Sequence, residues 1–142
     1  MILGIGTDIV LVSRIQEALE KYGERFMRRI YTEEERRYCD AQKYSFQHYA
    51  ARFAAKEAFS KAIGTGLTGD MTWTSVEVMK RRSGEPILRL SGKIAEKYGS
   101  CTLHVSLSHT SESALAMVAI ETDDETLLRR TQAARDHAAT TT

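Results

Sequence analysis

The stretch RFAAKEAFSKAIGTG, from Arg52 to Gly66, constrains this chain more than any other. Its alanines, phenylalanines and isoleucine ask for a closely packed helix, yet Arg52, Lys56, Glu57 and Lys61 are spread around it. At ~100° per residue, Arg52 and Lys56 fall near Phe59 and Ile63, whereas Glu57 and Lys61 fall near Ala50, Phe53 and Ala54. The charges share no single solvated face, so they need partners.

The rest of the chain reads as one α+β domain. At 142 residues, 42% hydrophobic and 27% charged, it can bury a core without disulfides or metal. Ile2 to Ile9 reads as a short buried strand ending at Asp8. Leu11, Ile15, Leu19, Tyr22, Phe26 and Ile30 then recur every three or four residues, which is one apolar helical stripe. Thr32 and Glu35 have capping-box spacing and predict a helix over TEEERRYCDAQ. Ser45 is placed to cap the next helix, and Gly64 to stop it. WTSVEVM and ILRL read as strands about a turn at RSGE, SGKIAEKYGS as a short helix, and TLHVSLSH and SALAMVAIE as two further strands. Helices early and antiparallel strands late predict helices packed on an antiparallel sheet in residues 1–121. The polar tail, 122–142, is expected to be helical or frayed and without chemistry.

Charge and cysteine usage exclude several classes. A formal net charge of +1 gives no overall basic field for nucleic acid. Cys39 and Cys101 lack CxxC spacing and fit reduced thiols packed in a core. The apolar start, MILGIGTDIVLVSRI, has no charged leader or cleavage pattern, and Asp8 interrupts a run too short to cross a bilayer. We therefore expect a cytoplasmic protein without membrane insertion.

Two glycine-rich places fail as nucleotide motifs. GIGTDI has Ile9 where a dinucleotide fingerprint needs its third glycine, and GTGLTGDMT lacks the Lys-Ser/Thr pair of a P-loop. The backbone amides of GTGLTGDMT are still a candidate lining for a phosphate pocket. The carboxylates carry more chemistry. Asp8 at a strand end and Glu57 among small apolar residues are costly unless paired, hydrated or bound to a cation. One reading pairs Glu57 with Lys61 at i+4 and lets Asp8 cap the next helix. The other joins both carboxylates around magnesium, whose remaining positions water and phosphate oxygens fill. His104, Ser106 and Ser108 alternate with Leu103, Val105 and Leu107, so one strand face offers hydrogen-bonding groups. His104 is open to a structural or a ligand-binding role. If the first helix continues through Gly23, Arg14, Lys21, Arg25 and Arg28 form a narrow basic ridge. As a solvated face, that ridge needs only Glu17–Lys21 and Glu24–Arg28 pairs.

In order and spacing, GIGTDIVLVSRI, RFAAKEAFSKAIGTG and HVSLSHT resemble the holo-acyl-carrier-protein synthases, the short bacterial class of 4'-phosphopantetheinyl transferases. The resemblance spans about Met1 to Glu121. It implies transfer of phosphopantetheine from coenzyme A to a serine of apo acyl carrier protein in fatty acid biosynthesis, with release of adenosine 3',5'-bisphosphate. By the same resemblance Asp8 and Glu57 are the magnesium ligands, and Asp8, Glu57 and Lys61 are the catalytic set. Arg52, Lys56, Lys61, Gly64, His104 and Ser106 frame coenzyme A. The resemblance further implies a homotrimer with its site between subunits, and an acidic carrier docked on Arg14, Lys21, Arg25 and Arg28. Two rivals share some of these residues: a metal-dependent hydrolase of a nucleotide pyrophosphate, and a noncatalytic coenzyme A-binding module.

Overall fold

The computed structural model describes residues 1–64 and 69–140. Thr65 and Gly66 of the closing Gly-Thr-Gly, and with them the middle of the GTGLTGDMT phosphate-pocket candidate, lie outside the described residues. The chain runs β1 (Ile2–Leu11), α1 (Val12–Ile30), α2 (Glu33–Asp40), α3 (Ser45–Ile63), a 3-10 turn (Trp73–Ser75), β2 (Val76–Lys80) and β3 (Pro86–Leu90). It continues through α4 (Gly92–Tyr98), β4 (Thr102–His109), β5 (Ser113–Glu121) and α5 (Glu125–Thr140). Both sheets are antiparallel, one of three strands in the order β1-β5-β4 and one hairpin of β2 and β3. This is the expected α+β arrangement.

Most local signals act as their chemistry dictates. The Thr32 hydroxyl accepts from Glu35 N and the Glu35 carboxylate accepts from Thr32 N, which closes the capping box that starts α2. Gly64 ends α3 in the left-handed region at φ 80°. Four expectations shift. The strand read from Trp73 begins only at Val76, because Trp73–Ser75 closes into a 3-10 turn. Strand β1 runs on past Asp8 to Leu11, because β5 supplies pairing partners that far. Tyr44, not Ser45, occupies the cap position of α3, and it makes no side-chain cap. Helix α1 breaks at Gly23 (φ 63°, ψ −148°), which resets the helical phase; Tyr22 beside the break is exposed, and Leu11 belongs to β1 and is exposed there.

Helix α3 crosses β1 at backbone contact. A Cβ at Gly4 would run into the carbonyl oxygen of Ala62, and one at Gly6 into that of Ala58. The two glycines of GIGTDI thus serve close helix-strand packing, with the fully buried Ala54, Ala58 and Ala62 as their counterparts. The other side of α3 faces α2 and β2, and there Lys56 is fully buried. Its ammonium donates to Glu35 Oε1 (2.7 Å), Val76 O (2.7 Å) and Trp73 O (3.0 Å), so all three protons are engaged. Glu35 in turn accepts from Val78 N at 3.0 Å. Desolvation draws the Lys56 pKa below its ordinary value, against the pull of Glu35.

Helix α5 docks on this core through Leu127, Leu128 and Thr131. Asp124 Oδ1 caps it by accepting from Thr126 N and Leu127 N, each at 3.0 Å. Main-chain bonds between Met1 and Thr122 close the N-terminal strand against the approach to α5.

Gly6→Ala forces α3 off β1 and is expected to destabilise by about 3 kcal/mol or more, measured by urea denaturation. An unchanged midpoint would show that the crossing can give way. Lys56→Ala strands the Glu35 carboxylate in the core and is expected to cost about 3–5 kcal/mol, whereas replacing Lys56 and Glu35 together by Met and Leu costs less. If the double variant is the less stable of the two, the pair does more than neutralise itself.

Candidate active site

Asp8 lies two residues beyond Gly6 on the face of β1 that meets α3, opposite Ala116 of β5. From the last turns of α3, Lys61 reaches across and donates to Thr7 O at 3.0 Å and to Asp8 Oδ1 at 3.2 Å. Both bland pairings suggested by spacing are thereby set aside. Lys61 spends its bonds on β1, and Asp8 does not cap α1, whose cap position is Leu11 without a side-chain bond.

Glu57, one turn earlier on α3, is half-buried. Burial first, and the nearby Asp8 charge second, raise its pKa above the usual carboxylate range, against the opposing pull of Lys61 and Arg14. Asp8, Glu57, Lys61 and Arg14 therefore form one electrostatic cluster built from β1, α1 and α3. Two carboxylates that repel one another in a partly desolvated place are a fitting donor set for a small divalent cation. Among the described residues no three His, Cys, Asp or Glu side chains converge as a metal cluster, so the protein's share would be these two carboxylates.

Two expected phosphate ligands lie inside the fold in this single chain. Lys56 is locked in the ion pair with Glu35, on the side of α3 that faces α2 and β2, and presents nothing to a ligand. Arg52 is 3% exposed, with its guanidinium 4.2 Å from the centre of the Tyr38 ring on α2. Both residues are charged as read; Lys56 is fully partnered, whereas Arg52 has the Tyr38 ring and a buried Nε without a hydrogen-bond partner. Gly64 stays exposed at the end of α3, its N–H shared between Ser60 O and Lys61 O.

His104, Ser106 and Ser108 do line the exposed face of β4. That is the sheet face turned away from α3, so one chain alone does not bring His104 and Ser106 to Asp8 and Glu57. His104 instead pairs with Glu121 at 2.5 Å. Beside this polar row, on the same face, Ile5, Ile9, Leu11, Leu115 and Met117 are exposed.

The basic ridge is corrected. The break at Gly23 separates Arg14 and Lys21 from Arg25 and Arg28, so the four share no single helical stripe. Lys21 lies over the Tyr22 ring and Arg28 pairs with Glu24 at 3.3 Å. What the break creates instead was not foreseen. The two halves of α1 flank an apolar cavity of about 300 Å³ whose walls include Arg14, Phe26, Arg29, Phe53 and Trp73. Phe53 and Trp73 stack at 4.9 Å inside it. The lone tryptophan of the sequence was the available signal.

A family model described as the 4'-phosphopantetheinyl transferase superfamily matches residues 4–137. A holo-[acyl-carrier-protein] synthase of Koribacter versatilis is 46% identical over 124 residues, covering 85% of this chain and 99% of that protein. One from Geotalea daltonii is 43% identical with the same coverage of each. Among solved structures, a Bacillus anthracis holo-(acyl-carrier-protein) synthase in complex with CoA (3',5'-ADP) superposes with a TM-score of 0.75 at 40% identity, over 87% of this chain and 99% of that one. The Neisseria meningitidis holo-[acyl-carrier-protein] synthase gives 0.78 at 36% identity, over 86% and 100%. With a family match over nearly its whole length, relatives this similar and a shared fold, the chain belongs to the 4'-phosphopantetheinyl transferase superfamily.

Proposed function

We propose that this protein transfers the 4'-phosphopantetheine group of coenzyme A to a serine of apo acyl carrier protein, in fatty acid biosynthesis. The products are holo acyl carrier protein and adenosine 3',5'-bisphosphate. The observation that carries the reading is the Asp8–Glu57–Lys61 cluster next to the Arg14-rimmed apolar cavity, in a chain of this superfamily. The cluster is suited to a phosphoryl centre, and the cavity to an apolar anchor of a protein partner.

In the reaction the serine oxygen forms a bond to the phosphorus next to pantetheine, and the bond from that phosphorus to the bridging oxygen breaks. Asp8 and Glu57 would hold magnesium, which when bound neutralises charge on the pyrophosphate oxygens. Lys61, already oriented by Thr7 O and Asp8, stabilises charge on the leaving adenosine bisphosphate. The hydroxyl proton has two acceptors open to it, Glu57 through an intervening water and another bound water. Gly64, at the exposed end of α3, is the residue we place beside bound coenzyme A.

The assembly we propose is a homotrimer with sites between subunits. The apolar row Ile5, Ile9, Leu11, Leu115 and Met117 supports a second copy covering the outer sheet face, which would place the His104 and Ser106 row beside a neighbouring subunit. A cytoplasmic location is consistent with the free thiols of Cys39 and Cys101, and no helix among the described residues is long and apolar enough to cross a membrane. Arg14 is the carrier contact we favour, since it joins the cavity rim to the Glu57 cluster.

Purified protein, coenzyme A, magnesium and apo carrier, followed by intact mass, should show modified carrier. Free phosphopantetheine with unmodified carrier would instead mark a hydrolase, and unchanged reactants a binding module. Asp8→Ala and Glu57→Ala should each abolish transfer while the protein stays folded, and mixing Glu57→Ala with His104→Ala should recover part of the activity through hybrid assemblies. Full turnover by either carboxylate variant would remove the metal assignment, and no recovery despite subunit exchange would place the site within one chain.

Arg14→Glu turns attraction to an acidic carrier into repulsion. It should raise the carrier KM at low salt by about tenfold or more, with the difference shrinking as screening approaches ~8 Å at physiological ionic strength. An unchanged carrier KM at low salt would move the docking surface elsewhere.

A further inference from the structure

Arg135, on α5, makes two bonds to main-chain oxygens of other elements. Its Nη1 donates to Leu3 O at 3.0 Å and its Nη2 to Ala62 O at 2.5 Å. Leu3 falls where the pairing of β1 with β5 slips between Ile2 and Gly4, so it has no place in that ladder. Ala62 is in the last turn of α3, where carbonyls lack intrahelical partners and a cation is favoured by the helix dipole. One guanidinium thus bridges two main-chain oxygens, one on each of the two elements that carry the reactive cluster.

The fit around it is close. A Cβ on Gly4 would sit 2.6 Å from Nη2, and one on Gly64 would sit 3.1 Å from Nε. Arg135 is therefore packed against the residue that ends α3, one position beyond Ile63 and three beyond Lys61. It lies on the stripe of α5 that begins with the buried Leu127 and Thr131, at successive steps of four residues, so the docking of α5 aims it. Lys61 joins α3 to β1 at Thr7 and Asp8, and Arg135 joins them again at Leu3. Between the two lies the glycine crossing, where the helix brings only alanine side chains against the strand.

We infer that Arg135 is a positioning residue for the coenzyme A side of the reaction, fixing the last turn of α3, with Lys61 and Gly64, against β1. The inference rests on the transferase reading. The guanidinium touches no reacting atom and acts through Ala62 and Gly64. It gives the tail a part in the chemistry that its polar composition does not announce.

The test uses the full-length protein and two variants, Arg135→Ala and Arg135→Lys. Coenzyme A is varied at saturating carrier, then carrier at saturating coenzyme A, and coenzyme A binding is measured separately by calorimetry without carrier. Arg135→Ala should raise the KM and the Kd for coenzyme A by about tenfold and leave the carrier KM unchanged. Arg135→Lys, which can reach one carbonyl but not both, should recover part of the loss, and millimolar guanidinium ion should improve Arg135→Ala but not the wild type. Wild-type KM and Kd for coenzyme A in a folded Arg135→Ala protein of lowered Tm would overturn the inference, reducing Arg135 to a stabilising contact. Should the alanine variant fail to fold, wild-type KM and Kd in Arg135→Lys would do the same. Absence of transfer by the wild type would count against the transferase reading instead, and the calorimetric comparison would still decide the role of Arg135.

Discussion

The cluster of Asp8, Glu57 and Lys61 depends on how closely α3 lies on β1. Gly4 and Gly6 remove the side chains that would hold a helix at its usual distance from a strand, and Ala58 and Ala62 complete the contact from the helix side. Only at that separation can Lys61 bond both a β1 carbonyl and the Asp8 carboxylate, and only then do Asp8 and Glu57 feel one another. The site is a by-product of backbone contact. A larger residue at either glycine would displace the carboxylates as surely as it would disturb the core.

The charges of α3 divide between two tasks that the helix period separates. Glu57 and Lys61 project at the edge of the β1 contact and remain partly hydrated. Arg52 and Lys56 point to α2 and β2, one lying against an aromatic ring and one held in an ion pair. The second pair holds the helix in rotation about its own axis, so the first pair is aimed. A buried ion pair adds little net stability compared with apolar packing, but it has one acceptable register, and here register is what the site requires.

This division marks the limit of what could be read in advance. The strands, the capping box, the Gly64 stop and the exposed row of β4 were legible because each is written in local period or in a turn residue. Asp8 and Glu57 were legible as costly carboxylates, and the splay of Lys56 from Lys61 followed from helical geometry. The fate of Lys56 was not, because its partners are Glu35, Trp73 and Val76, all distant in sequence. Gly23 could be read as a weak point in α1, but the direction of the break depends on φ and ψ. The role of Arg135 was hidden for a related reason. Its acceptors are main-chain oxygens, and no side-chain pattern records them.

Glu35 takes part in three structures at once. Its carboxylate completes the cap of α2, neutralises Lys56 in the middle of α3 and accepts the N–H of Val78 in β2, while the Thr32 hydroxyl of the same cap also bonds Glu77. These segments cannot loosen separately without leaving a buried charge bare. In the native ensemble they should open together, as one cooperative exchange unit with amides of similar protection. The beginning of a short surface helix would then be as slow to exchange as the centre of the domain.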